Sequence, residues 1–260
     1  MSEARRNPSV GVIGAGMTGI LLVITLREAG ILNVTLLEKQ DSVGGTWREN
    51  TYPGVACDVP GHAYTYSFAP NPEWSSLFAP GSEIRQYFDD VYRRYGVDTC
   101  TRFNESVTGC VYQGGKWTVD TSQGNTYVAD LVFAATGMLH HPVIPDFPGL
   151  DQFAGVSMHS AQWDHSVDFK GKRIGVVGNG SSGAQLIPEL IGLEGTDVKV
   201  FQRTPQWFVK VVDKPYSEKD KQRFRNNPAA MQRVKDAALF IYAKGTAALS
   251  SCLLYTSDAA

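Results

Sequence analysis

The 260-residue sequence is short of the features that mark several large protein classes. It has four cysteines, Cys57, Cys100, Cys110 and Cys252, with no CxxC pair and no dense framework. That excludes a disulfide-stapled scaffold and points to reduced thiols in a cytoplasmic protein. Charge of one sign is missing too: 24 basic and 26 acidic residues are well mixed and leave a formal net charge of −2. No basic tract invites nucleic acid or an anionic membrane surface. The polar start, residues 1–9, carries no apolar h-region and is not expected to be a secretory signal. The one long apolar run, Ala237 to Tyr255, is broken by Lys244 and Gly245 and then by Ser250 and Ser251, so a buried helix is expected rather than a membrane span.

What the chain does have is glycine, 26 residues of it, and hydrophobic content of 43%, enough for one large core or two smaller ones. Two glycine fingerprints stand out. The first follows the β-branched run Ser9–Ile13 as Gly14-Ala15-Gly16-Met17-Thr18-Gly19, and Ile20 to Ala29 reads as a helix ended by Gly30. Such glycines allow a tight turn and let backbone N–H groups approach a pyrophosphate at the positive end of a helix. A second strand, Val34–Leu37, ends in Glu38, twenty-four positions after Gly14, where a carboxylate accepts hydrogen bonds from ribose hydroxyls. That carboxylate repels a 2′-phosphate, so FAD or NAD fits here better than NADP.

The second fingerprint, Gly178-Asn179-Gly180-Ser181-Ser182-Gly183, follows the strand Arg173–Val177 and opens a helix over Ala184–Leu190. At the same offset the acidic slot holds Gln202, with Arg203 and Thr204 after it. No carboxylate opposes a 2′-phosphate there, and a guanidinium with a hydroxyl can bind one. NADPH is therefore expected on the second unit and FAD on the first. Two dinucleotides in one chain usually mean electrons pass between them.

Between the fingerprints, Ser82–Tyr95 carries Ile84, Tyr87, Phe88, Val91 and Tyr92 at helical spacing, a structural amphipathic helix. Phe103–Val107 and Cys110–Val119 read as strands of a small sheet, with Gly114-Gly115 as a turn. Tyr127–Gly137 reads as one buried parallel-type strand, whose small ending Ala135-Thr136-Gly137 lets backbone approach a cofactor. Pro142, Pro145 and Pro148 mark a stiff linker.

Several segments resemble a known family. Gly44-Gly45-Thr46-Trp47 and Tyr52-Pro53-Gly54 are similar to flavin-lining segments of class B flavoprotein monooxygenases. The string Phe153-x-Gly-x-x-x-His159-x-x-x-Trp163-Asp164 matches the fingerprint of type I Baeyer–Villiger monooxygenases at every fixed position. The resemblance implies that Gly45, Thr46, Trp47, Asp58 and Tyr64 border the flavin, that Val107 meets the adenine through its backbone, and that Thr136 and Gly137 stand where the chain leaves the FAD domain. It implies that His159 belongs to a hinge-like segment; a structural histidine orienting two segments fits the residue equally well. Asp58, whose bland alternative is a turn residue, would orient an active-site arginine that this sequence does not contain.

The fold expected is α/β with two Rossmann-like dinucleotide-binding domains, the second incomplete. The first part of an FAD domain would cover residues 1–145, the start of an NADPH domain 150–212, and the start of a helical insertion 213–251, with a helical stretch over Ser217–Ala248. Residues 252–260 resemble one reading frame of a sequencing-library adapter and are expected not to belong to the natural protein. The implied activity is insertion of one oxygen atom from O2 beside a ketone carbonyl through a flavin peroxide, giving an ester or lactone. The alternatives are oxygenation of soft nitrogen or sulfur compounds, disfavoured by Trp163-Asp164, and an inactive cofactor-binding fragment.

Overall fold

The computed structural model describes residues 7–138, 141–206 and 213–241. Contacts gather the chain into two compact units, Met1–Pro53 with Ile84–Lys170, and Gly54–Glu83 with Gly171–Ala260. The proline-rich linker lies inside the first unit, and the loop 54–83 belongs with the second.

In the first unit β1 (Val10–Ile13) leads through α1 (Met17–Glu28) to β2 (Val34–Leu37), with Gly30 at φ +84 closing the helix. A short helix α2 (Thr46–Glu49) and the long α3 (Gly81–Arg94) follow. Ile84, Tyr87, Phe88, Val91 and Tyr92 of α3 are all buried, as their spacing requires. After β3 (Thr101–Arg102) come β4 (Val107–Gln113), β5 (Lys116–Thr121), β6 (Thr126–Ala129) and β7 (Leu131–Ala134). A parallel sheet runs in the order β3-β2-β1-β7, with Val10 opposite both Val34 and Leu131. β4, β5 and β6 form a separate antiparallel meander turning at Gly114-Gly115. The core lies where α1 packs its Ile20 and Val23 onto β1 and β2, around Val10, Val12 and Leu36.

Two strand expectations are corrected. Phe103–Val107 is not a strand: Asn104 sits in the left-handed region at φ 60, and the N–H groups of Asn104 and Glu105 donate to the carbonyls of Gln40 and Glu38. Asparagine tolerates that conformation, and the strand starts only at Val107. Tyr127–Gly137 is two strands in different sheets, divided at Asp130. Asp130 Oδ2 accepts from Ser9 N at 2.8 Å and Ser9 Oγ at 2.7 Å, and Oδ1 takes the Lys116 ammonium. That ammonium, with Ser9, holds the carboxyl far below the usual carboxylate range. Nor is the second half buried, because β7 is the edge strand among the described residues and leaves Leu131 45% and Phe133 40% exposed.

In the second unit β8 (Arg173–Val177), α4 (Ser181–Ile191) and β9 (Asp197–Phe201) form a strand-helix-strand unit whose strands pair in parallel, Arg173 opposite Asp197. The loop 54–83 is tied to the later chain. Tyr216 N donates to Ser75 O at 2.8 Å, and Arg225 grips Glu73 through Nε and Nη2. Phe224, Ala230 and Met231 form a small core there with Tyr216 and Val234. The helical stretch expected over Ser217–Ala248 is α5 (Glu218–Asn226) and then helical residues 228–241. Pro228 explains the break, since it lacks an N–H and disfavours helix at Asn227. Residues 242–248 and the adapter-like 252–260 lie outside the described residues.

Of the run Ala237–Tyr255 expected to be a buried helix, residues 237–241 are described, and there the expectation is corrected. Ala238 is buried, but Leu239, Phe240 and Ile241 are 49%, 62% and 67% exposed. No helix among the described residues is long and apolar enough to cross a membrane.

Candidate cofactor-binding sites

Three glycines shape the first loop. Gly14 lies at φ +100, and a Cβ there would stand 2.7 Å from the Ala135 carbonyl oxygen. A Cβ on Gly19 would stand 1.9 Å from Gly14 O, so only glycine lets the helix start this close to the turn. Gly16 is the N-cap of α1 and offers no side-chain cap, while Thr18 is exposed on the first turn. Gly44 N donates to Ala15 O at 3.2 Å, and a Cβ on Gly45 would lie 3.0 Å from Gly16 Cα. The Gly44-Gly45 turn thus rests on the fingerprint, leaving Thr46 exposed and Trp47 half-buried on α2.

Glu38 comes to the same place from the end of β2. It is buried, with Oε2 accepting from Ala15 N at 2.7 Å and Oε1 from Gln40 N at 3.0 Å. Thr136 and Gly137 follow β7 past Gly14 and are exposed, Gly137 at φ +79. Val107 is half-buried two residues beyond Glu105, whose N–H donates to Glu38 O at 2.9 Å. Glu38, the Gly44-Gly45 turn and Thr136 thus reach the start of α1.

The second loop repeats this geometry. Gly178 has φ +102, Gly180 is an N-cap at φ −72 and ψ −170 against −81 and −168 for Gly16, and a Cβ on Gly183 would lie 2.7 Å from Gly178 O. Ser181 and Ser182 open α4, again without a side-chain cap. By contrast α5 closes its own start with a capping box, Ser217 Oγ accepting from Asp220 N and the Asp220 carboxylate accepting from Ser217 N. Helix starts left without a cap suit an anion, and the space around Gly180 is open. Beyond β9, Gln202 Oε1 accepts from Asn179 Nδ2, and Arg203 and Thr204 are exposed beside it.

Asp58 is exposed on the loop of the second unit, where its Oδ1 accepts from Gln185 Nε2 at 2.6 Å. Tyr64 is half-buried in a turn, its N–H donating to Pro60 O and Gly61 O. Burial pushes the neighbouring Cys57 thiol up, which leaves it protonated at neutral pH. The three described cysteines are free.

The segment 153–164 lies in the first unit. His159 Nδ1 accepts from Ala161 N at 3.1 Å and so caps the turn Ser160–Gln162. The Phe153 ring covers Gly155, and Trp163 stacks on Phe169 at 5.1 Å. Asp164 Oδ1 accepts from Ser166 Oγ and N, which hold its carboxyl low. These bonds give the string a structural duty.

Gln185 was not visible from sequence as a site residue. The one amide side chain of α4 was the available signal, but helical period alone does not say which loop it meets.

The profile of a pyridine nucleotide-disulphide oxidoreductase family matches residues 12–237, and the chain belongs to that family. Within it, the chain is 47% identical to an uncharacterised monooxygenase of Mycobacterium bovis over 82% of its own length and 43% of that protein's. A Baeyer–Villiger monooxygenase of Streptomyces coelicolor is 42% identical over 87% of this chain and 44% of its own. Among solved structures, cyclohexanone monooxygenase from Rhodococcus sp. Phi1 bound to NADP+ superposes with a TM-score of 0.77 at 34% identity, covering 86% of this chain and 43% of that one. The α/β fold with Rossmann-like units is thus that of the flavoprotein monooxygenases, and the chain spans less than half the length of the relatives it matches.

Proposed function

We propose that the full-length protein is a Baeyer–Villiger monooxygenase that uses FAD, NADPH and O2 to insert one oxygen beside the carbonyl of a small ketone. The observation that carries this reading is the difference between two loops of one geometry. Glu38 fills the ribose position of the first, whereas Gln202, Arg203 and Thr204 fill it in the second. FAD would lie on α1, its pyrophosphate on the backbone of Gly16–Gly19 and its ribose on Glu38, with Gly45, Thr46, Trp47, Val107, Thr136 and Gly137 around it. NADPH would lie on α4 over Gly180–Gly183, its 2′-phosphate on Arg203 and Thr204. Residues 1–145 and 150–212 would then be the beginnings of the two cofactor domains, and 213–251 that of a helical insertion.

Bound flavin, reduced by the nicotinamide, supplies the oxygen-activating chemistry. The chain's residues hold phosphates at open helix starts, select the 2′-phosphate by charge, and present Asp58 as a negative charge able to orient a cation. The names of the relatives support the reading, as does NADP+ in the similar cyclohexanone monooxygenase. The 260-residue chain alone would be inactive. Reduced, buried thiols at Cys57 and Cys100 agree with a cytoplasmic site.

The test is NADPH-dependent oxygen uptake by the full-length protein against ketone, sulfide and amine panels. Ester or lactone formed in step with NADPH consumed supports the proposal. Uptake with amines or sulfides and none with ketones overturns it in favour of nitrogen or sulfur oxygenation.

A further inference from the structure

We propose that Gln185 is a positioning residue that fixes the Asp58 carboxylate, and the loop 54–58 that carries it, to the helix of the second glycine fingerprint. Sequence order places Asp58 shortly after the first fingerprint, but its Oδ1 accepts from Gln185 of α4. Gln185 stands two residues beyond Gly183. Its amide donates from Nε2 to Ala56 O at 3.0 Å and to Asp58 Oδ1 at 2.6 Å, and its Oε1 accepts from Ala56 N at 3.3 Å. Both amide protons and the amide oxygen are thus committed to one loop, with a donor facing each acceptor.

The loop's backbone is fitted to the same helix. Gly54 lies at φ +78, and a Cβ there would come 2.6 Å from Gln185 O and 2.8 Å from Glu189 Cγ. On its other side the loop is pinned by Cys57 N to Ala79 O at 3.0 Å and by Gly81 N to Val55 O at 2.9 Å. Anchoring the backbone needs only the pair of bonds to Ala56. The added bond to Asp58 Oδ1 constrains a side chain, and a charge-assisted bond of this kind is among the stronger ones available to it. The candidate anion site at Gly180–Gly183 and the carboxylate of Asp58 are therefore linked through the Gln185 amide.

The role in turnover rests on the proposed monooxygenase reading; the anchoring does not. The anchoring is tested by peptide-resolved amide hydrogen exchange on the chain without cofactor, comparing wild type with Gln185→Ala and Gln185→Glu. Exchange at residues 55–58 should rise at least tenfold in both variants while β8 and β9 keep their protection, and more in Gln185→Glu, whose carboxylate donates no bond and repels Asp58. Unchanged exchange at residues 55–58 overturns the proposal.

Positioning, as opposed to mere support, is tested in the full-length holoenzyme by a cycle of Gln185→Ala, Asp58→Asn and the double variant. Gln185→Ala should lower kcat about tenfold with the KM for NADPH within about twofold, and add nothing in the Asp58→Asn background. Losses that add in the double variant overturn the positioning role.

Discussion

The two fingerprint loops share their glycine dihedrals and have unlike surroundings. Gly14 and Gly178 share φ near +100, yet a Cβ on Gly14 would strike Ala135 O at 2.7 Å while one on Gly178 would meet nothing within 4 Å. The strand before Gly14 is central, flanked by β2 and β7, whereas among the described residues β8 pairs with β9 alone. Accordingly Val10 and Val12 are buried, and Val177 and Phe201 are 63% and 56% exposed. Loop geometry is thus a local property of glycine, and burial is a property of neighbours.

The largest expected effect tests that contrast. Gly14→Ala should cost about 3 kcal/mol, from both strain and a clash with backbone, while Gly178→Ala should cost about 1 kcal/mol from strain alone. Urea unfolding of the two variants measures the difference, and equal costs would break the comparison.

A second test concerns what the later unit has in place of a covered sheet. His62 packs among Tyr216 and Phe224, with its Nε2 buried and unpartnered, and burial lowers its pKa to about 4. In the unfolded chain it titrates near 6.5, so protonation favours unfolding. Stability present above about pH 6.5 should fall as pH drops toward about 4, by about 2.5 kcal/mol at pH 4.5. His62→Phe should flatten that part of the urea midpoint against pH curve.

The ribose slots separate the loops by charge. Arg203→Ala should raise the KM for NADPH by about 10–100-fold, about 1.4–2.8 kcal/mol, and that for NADH much less. Equal effects on the two nucleotides would remove Arg203 from the 2′-phosphate site. The smallest effect belongs to Glu38→Gln, which keeps an acceptor for Ala15 N but loses the charge. FAD affinity, read by fluorescence titration, should weaken about fivefold, about 1 kcal/mol.

Much of this was legible in the residues. Strand limits around Gly14 and Gly178 follow from glycine at the turns and β-branched runs before them, each helix starts three residues earlier than expected, at Met17 and Ser181, and the five apolar residues of α3 announced their own burial. Tyr127–Gly137 misled because an apolar run interrupted only by Asp130 before its small ending hides a change of sheet. Only the Ser9 and Lys116 groups gathered on Asp130, distant in sequence, explain the break. The hold of Gln185 on the loop 54–58 was not legible, since nothing in the loop's spacing from Gly14 announces it.

By itself the sequence determined the two nucleotide loops and their opposite charge preferences, because a positive φ and a side chain one strand away are short-range matters. The tertiary structure decided which strands are covered, that Asp58 is fastened to α4, and that His62 is buried uncharged. Those outcomes depend on contacts between segments more than a hundred residues apart, which local propensity does not specify.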